Sequence, residues 1–195
     1  MFYIGLLLSI LFTVSPLYAK NQCPQFFKDM NETQITAESI FRGRIDPKNL
    51  IFKYSVGKTV SDGVQIAVYL KGHKEKIAYI WTGEGLRNPQ ILWVEVKNYH
   101  TAGDMTGKGL GAFLYLVTAK LNFEAYKKSL RGSTKQQTEE ARKLWQNFIR
   151  RNYANIGDGF GQFKRSFLES NQLNELFKYF LSRAKKQAEL DFFED

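Results

Sequence analysis

Five consecutive residues near the middle of the chain, Gly107-Lys108-Gly109-Leu110-Gly111, have the composition of an anion cradle. Glycines at alternate positions let a phosphate oxygen approach the backbone with no Cβ in the way. An apolar helix is expected from Ala112 onward, and the amides of its first turn would lack carbonyl partners. Those amides, the helix dipole and the Lys108 ammonium all favour a negative group. Other chemistry-bearing side chains are few. Glu95 is the one acid inside the apolar run before the loop, a carboxylate able to accept a proton. It shares a strand face with Trp93, Lys97 and Tyr99, so the competing reading is a surface carboxylate paired with Lys97. His100 falls on the opposite face near the strand's end, and His73 falls in a turn. One cysteine (Cys23) and two histidines exclude an intrachain disulfide and a thiolate–imidazole zinc site, so no metal is assigned.

The elements around these residues follow from hydrophobic period and turn chemistry. Residues 49–56 and 64–70 read as strands. The turn at 71–76 leads into the run from Ile77 to Trp81, which makes a hairpin with His73 at its tip. Gly83, Gly85, Asn88 and Pro89 punctuate the approach to a central strand that begins at Ile91. Beyond the glycine loop, Leu110, Leu114, Val117 and Leu121 line one helix face, and Gly132-Ser133-Thr134 marks a stop. Ala141, Leu144, Trp145, Phe148 and Ile149 recur with helical period in a second helix. Residues 155–161 (NIGDGFG) read as a loop, and a third helix is expected over about 164–189. The fold class is therefore α+β: a mainly antiparallel sheet followed by three helices in the C-terminal half.

Spacing excludes two common phosphate motifs. Gly109 follows Lys108 where a P-loop needs Ser or Thr, and no βαβ unit accompanies the G-x-G-x-G spacing as a dinucleotide fingerprint requires. The stretch instead resembles the GNAT-type acyltransferase superfamily. Members run a hairpin into a central strand, then a loop of the form Arg/Gln-x-x-Gly-x-Gly/Ala, then a helix. Thr106-Gly107-Lys108-Gly109-Leu110-Gly111 lines up with that loop, and Ala141-Arg142-Lys143-Leu144-Trp145 is similar to the Ala-x-x-Leu-Tyr of a later helix. The likeness covers about Val64 to Arg151. It implies acetyl-CoA or another acyl-CoA as co-substrate, its pyrophosphate on Gly107, Lys108, Gly109, Leu110 and Gly111, and Glu95 as base toward an amine. The chain departs from the family pattern at Thr106 and Trp145. The family also places a strand between these two helices, splayed from the central one to admit pantetheine, and residues 129–140 show no such strand.

Residues 1–19 carry no charge, hold an apolar run and end in Leu17-Tyr18-Ala19, the pattern of a signal peptide cleaved after Ala19. The alternative is an uncleaved anchor, for which the run is short. Residues 20–195 are expected to form a single α+β domain in an exported protein. Coenzyme A is a cytoplasmic metabolite, so an exported acyltransferase implies delivery to another cell's cytosol. Asn31-Glu32-Thr33 is a glycosylation sequon. Basic residues concentrate late: 16 Lys/Arg against 6 Asp/Glu over residues 108–186. Two readings follow from that excess. The helices are solvated faces, or the protein is a non-catalytic binder whose basic surface meets nucleic acid, a membrane surface or an acidic protein.

Overall fold

The computed structural model describes residues 34–84, 88–96, 98–99, 103–133, 137–157, 159–188 and 190. The expected leader, Cys23, the sequon, Lys97 and His100 lie outside them. The described chain opens with α1 (Ala37–Phe41), a single turn held by a reciprocal cap. The Thr36 hydroxyl accepts from the Ser39 amide at 3.1 Å, and Ser39 Oγ accepts from the Thr36 amide at 3.0 Å.

Four strands then form an antiparallel meander: β1 (Leu50–Val56), β2 (Val64–Leu70), β3 (Lys76–Glu84) and β4 (Pro89–Val96). Alternation along the pleat assigns the faces. Leu50, Phe52, Val64, Ile66, Val68 and Ile80 are buried on the inner face. Register pairs Lys53 with Ala67, Tyr79 with Glu95 and Trp81 with Trp93 on the outer one. His73 sits exposed in the β2–β3 turn. β4 ends at Val96, and a small ladder of β5 (Asn98–Tyr99) with β6 (Gly103–Asp104) stands between it and the glycine loop.

The helix that follows, α2 (Leu110–Tyr126), is apolar on every side, which marks a central helix. Ala112 to Phe123 are all buried. Its ring contacts set the main core: Phe113 lies 5.1 Å from Phe52 and 5.4 Å from Phe41. Two buried polar side chains of this helix find backbone partners. Lys120 Nζ donates to the Leu168 carbonyl at 2.7 Å, and Asn122 Nδ2 donates to the Thr118 carbonyl at 2.9 Å. The helix begins two residues before the expected Ala112 and ends at Tyr126, where Lys127 takes a left-handed cap (φ 55°), short of Gly132.

No strand is expected between α2 and the next helix, yet residues 130–132 behave as one. Ile91 N–H donates to the Arg131 carbonyl at 3.1 Å, and Arg131 N–H donates to the Pro89 carbonyl at 3.0 Å, a parallel bridge to the start of β4. On its other side, Phe163 N–H donates to the Leu130 carbonyl at 3.1 Å and Gly132 N–H to the Gly161 carbonyl at 2.8 Å. Helix α3 (Glu139–Arg150) follows, capped by Thr138. The 155–161 stretch, expected as a loop, is a hairpin of β7 (Ala154–Gly157) and β8 (Phe160–Phe163). The meander thus continues from β4 across residues 130–132 to β8 and β7.

The expected last helix is broken into α4 (Arg165–Glu169), a short turn at Asn171–Leu173 and α5 (Asn174–Arg183). Ser170 causes the break by capping the short turn: its hydroxyl accepts from the Gln172 amide at 3.3 Å. The chain then adds β9 (Ala184–Lys186) parallel to β1, giving the order β4-β3-β2-β1-β9. α5 closes the inner face of the meander through Phe180, 5.5 Å from Phe52.

Candidate functional site

Helix α2 must run back along β4, because the chain returns parallel to β4 at Arg131. Its N-terminus therefore lies at the carboxyl end of β4. The lengths agree: 17 helical residues and 8 strand residues both span roughly 26 Å. β4 is antiparallel to β3 and parallel to residues 130–132, so the strand direction switches there. Crevices outside the carboxyl ends of strands at such a switch are where open sheets bind ligands.

The two sides of β4 part quickly. The bridge to residues 130–132 involves Pro89 to Ile91, and from Leu92 onward β4 has no strand on that side among the described residues. Val94 and Val96 share the inner face with the buried Ile80 and Ala78 but are half-exposed. Trp145 maintains the narrow end. Its indole is 3% exposed, and a Cβ placed on Gly161 would come within 2.4 Å of the ring. A Cβ on Gly132 would come within 2.9 Å of Nε1. Phe163 at 5.0 Å and Tyr115 at 5.6 Å pack the same indole, so Trp145 is a wedge under residues 130–132. Arg131 itself is 1% exposed, with its guanidinium 6.0 Å from the Phe160 ring.

At the open end stands the glycine loop. Asp104 Oδ1 accepts from the Thr106 amide at 2.8 Å, fixing the turn into it, and these Thr106 bonds hold the Asp104 carboxyl below its usual value. Gly107 (φ +65°) and Gly109 (φ +105°) occupy left-handed backbone that other residues adopt at a cost. Arg44, from the turn after α1, donates to the Gly107 carbonyl at 2.8 Å, a contact across 63 positions that the sequence could not reveal. Gly109 is the N-cap, and the first bond within the helix runs from the Phe113 amide to the Gly109 carbonyl at 2.9 Å. No side chain caps this end. Leu110 and Gly111, expected in the loop, form the first helical turn, with Leu110 buried. Nothing lies within 4 Å of a Cβ built on Gly111 or on Gly107. Gly109 is itself buried, while Gly107 is exposed and Lys108 and Gly111 are partly exposed beside it.

Glu95 lies on the outer face of β4, away from α2. Tyr79 donates its hydroxyl to Glu95 Oε2 at 2.8 Å, and Trp93 Nε1 approaches the same oxygen at 3.5 Å. Trp93 is 57% exposed. The expected pairing with Lys97 falls outside the described residues, and Glu95 has no ion pair within them. The aromatic neighbours were hidden from sequence because Tyr79 and Trp81 meet Glu95 and Trp93 only through the β3–β4 register.

Part of the basic excess on the helices is ion-paired locally. Glu124 sits between Lys120 (2.9 Å) and Lys127 (3.2 Å), Glu169 meets Arg165 at 2.7 Å and Glu175 meets Lys178 at 2.8 Å. Glu139 faces both Arg142 and Lys143. Arg150 turns back to Asn147 on its own helix. No group of three or more His, Cys, Asp or Glu that could hold a metal occurs among the described residues. No described helix is long and apolar enough to cross a membrane. The chain matches no family model, no characterised protein and no solved structure.

Proposed function

We propose that the protein is an exported acyltransferase that moves an acyl group from acyl-coenzyme A to an amine. The observation that carries this reading is that β4 pairs with residues 130–132 only at its start, while its other end leads to a helix N-terminus that no side chain caps. A phosphate-bearing carrier would place its pyrophosphate on the uncapped first turn of α2, with Lys108 as counter-charge. Its thioester arm would pass along the open edge of β4, where unpaired strand groups can hydrogen-bond an extended amide chain. The amine nitrogen then bonds to the thioester carbonyl carbon, the C–S bond breaks and coenzyme A leaves as a thiolate. The ammonium gives its first proton to Glu95 before attack, the tetrahedral nitrogen loses its second to water as the amide forms, and solvent protonates the departing thiolate. Trp145 takes no part in proton transfer, since an indole N–H is no acid and this one is buried under residues 130–132.

In this reading the anionic partner of the basic protein is the co-substrate. Local ion pairs on the helices neutralise part of the basic surface that the second function, a non-catalytic binder of nucleic acid, membrane or acidic protein, would use. The test is thermal unfolding of the purified protein with and without acetyl-CoA, alongside a thiol-release assay with an amine acceptor. Ligand at 100 times its Kd should add about 2.7 kcal/mol of stability. No shift at millimolar acetyl-CoA would end the acyltransferase reading, and a shift on heparin or nucleic acid in its place would favour the binder. Intact mass of exported material reports whether residues 1–19 have been removed.

A further inference from the structure

The two ends of the sheet are treated differently. At one end β9 carries Lys185 and Lys186, both exposed. Lysine on an edge strand guards against pairing with another chain. At the other end β7 carries Asn155 and Ile156 and no charged residue. Ile156 is 69% exposed, more than Trp93 or Leu181. The ladder fixes where the β7 backbone points. Gly132 N–H donates to the Gly161 carbonyl and Phe163 N–H donates to the Leu130 carbonyl, so Gly161 and Phe163 face residues 130–132. Phe160 and Gln162 therefore face β7, where they pair with Gly157 and Asn155. The amides and carbonyls of Ala154 and Ile156 are left pointing away from β8, and among the described residues no strand pairs with them there.

These groups are complementary to themselves. A two-fold axis through Asn155 sets two β7 strands antiparallel, with Ala154 opposite the partner's Ile156 on both sides. Each of those pairs exchanges two N–H···O=C bonds, so every outward amide and carbonyl of Ala154 and Ile156 is used. The side chains agree with this register. The large Ile156 lies beside the small Ala154, and two exposed Asn155 amides meet on the axis, where each donates and accepts. We infer that β7 is a docking edge for a second copy of this chain, which joins the two sheets into one. Charge favours the same occupant. Two copies of a chain with net charge +9 repel, and they approach closely only along a strip without lysine or arginine. β7 is such a strip and β9 is not. The joined sheet runs from the lysine-bearing β9 of one copy to that of the other, so both of its edges are guarded. The contact is short, and the pair is expected to dissociate on dilution. The inference goes beyond the acyltransferase reading and does not rest on it, since β7 lies past residues 130–132 and β8, on the closed side of β4.

The test is sedimentation velocity of the purified full protein from micromolar to submillimolar concentration, with reductant present so that Cys23 does not link copies. The parent should pass from monomer to dimer, and the midpoint should fall as added salt screens the like charges. Ile156→Lys should raise the midpoint at least about tenfold and leave the melting profile unchanged, because the residue is exposed in the single chain. Asn155→Lys and Asn155→Asp each set like charges face to face on the axis and should each weaken association at least about tenfold. An equal mixture of those two variants should associate again. Leu181→Lys, at an exposed apolar residue of α5, should behave as the parent. A parent that stays monomeric in high salt overturns the inference and leaves the edge to an extended segment of another protein. Parent-like association of Ile156→Lys, no recovery in the mixture, or a pair that weakens on added salt overturns it as well. None of these readouts depends on acetyl-CoA.

Discussion

The first and second halves of β4 have the same kind of sequence and different neighbours. Pro89 to Ile91 are hydrogen-bonded on both sides, to β3 and to residues 130–132. Leu92 to Val96 keep β3 and have no second strand among the described residues, and their inner-face valines stay half-exposed. A strand interior to a sheet ordinarily hides both edges, since unpaired backbone groups are a liability. Keeping one half open while wedging the other shut is the geometry of a slot. What separates the halves is the packing behind them. Trp145 and two glycines bind the closed end, whereas the open end faces a helix terminus that no side chain caps.

The largest expected effect comes from removing the wedge. Trp145→Ala deletes a buried indole packed on Tyr115, Phe148 and Phe163, and should cost about 3–5 kcal/mol. Urea unfolding should show the midpoint falling with the slope unchanged. A loss under about 1 kcal/mol would mean that residues 130–132 are held to β4 and β8 by backbone bonds alone, and the two halves of β4 would then differ less than their packing implies.

The open half is addressed through Gly111. Gly109 is a poor probe, because its φ of +105° strains any substituted residue whatever ligand is present. Gly111 is helical, and a Cβ there meets nothing within 4 Å. A Cβ in a first turn tilts toward the helix N-terminus, into the space before the amides. Gly111→Val should therefore leave the melting temperature of the free protein nearly unchanged. It should abolish the acetyl-CoA shift, roughly 5–10 °C for a chain of this size at 100 times Kd. A variant that melts like the parent and still shifts would place the phosphate elsewhere.

Much of the frame was legible because it rests on local pattern. The four meander strands alternate with the pleat, and α2 announces itself by an apolar run too wide for a surface helix. What escaped was either short or long-range. A bridge centred on the single residue Arg131 has no periodicity to detect, and it changes the topology more than any longer strand. The β7–β8 hairpin was hidden by glycines, although Asp158-Gly159 is a strong hairpin turn pair and Gly159 takes φ +82° as such turns require. The glycine loop could be found from its spacing, but its Arg44 anchor and the aromatic surroundings of Glu95 arise from tertiary register.

The smallest expected effect concerns the helix charges. Glu124 lies on α2 between Lys120 and Lys127; the Lys120 hydrogen bond, opposed by partial burial and aided by Lys127, holds its carboxyl below the ordinary value of 4.5. A folded-state pKa below the unfolded one means that the ionised form is favoured by folding. Its stabilisation is complete above the unfolded value and is lost as pH falls through the lowered folded value. Glu124→Gln should therefore cost about 0.5–1 kcal/mol at neutral pH, a helix ion pair with one partly buried partner. The parent and variant should converge in acid, below both values. Lys120 limits the loss, because its ammonium still donates to the Leu168 carbonyl. Denaturant midpoints measured across the acid range decide the matter. A gap that persists undiminished at low pH would assign the cost to packing and not to charge, and the helix faces would then owe less to ion pairing than their geometry indicates.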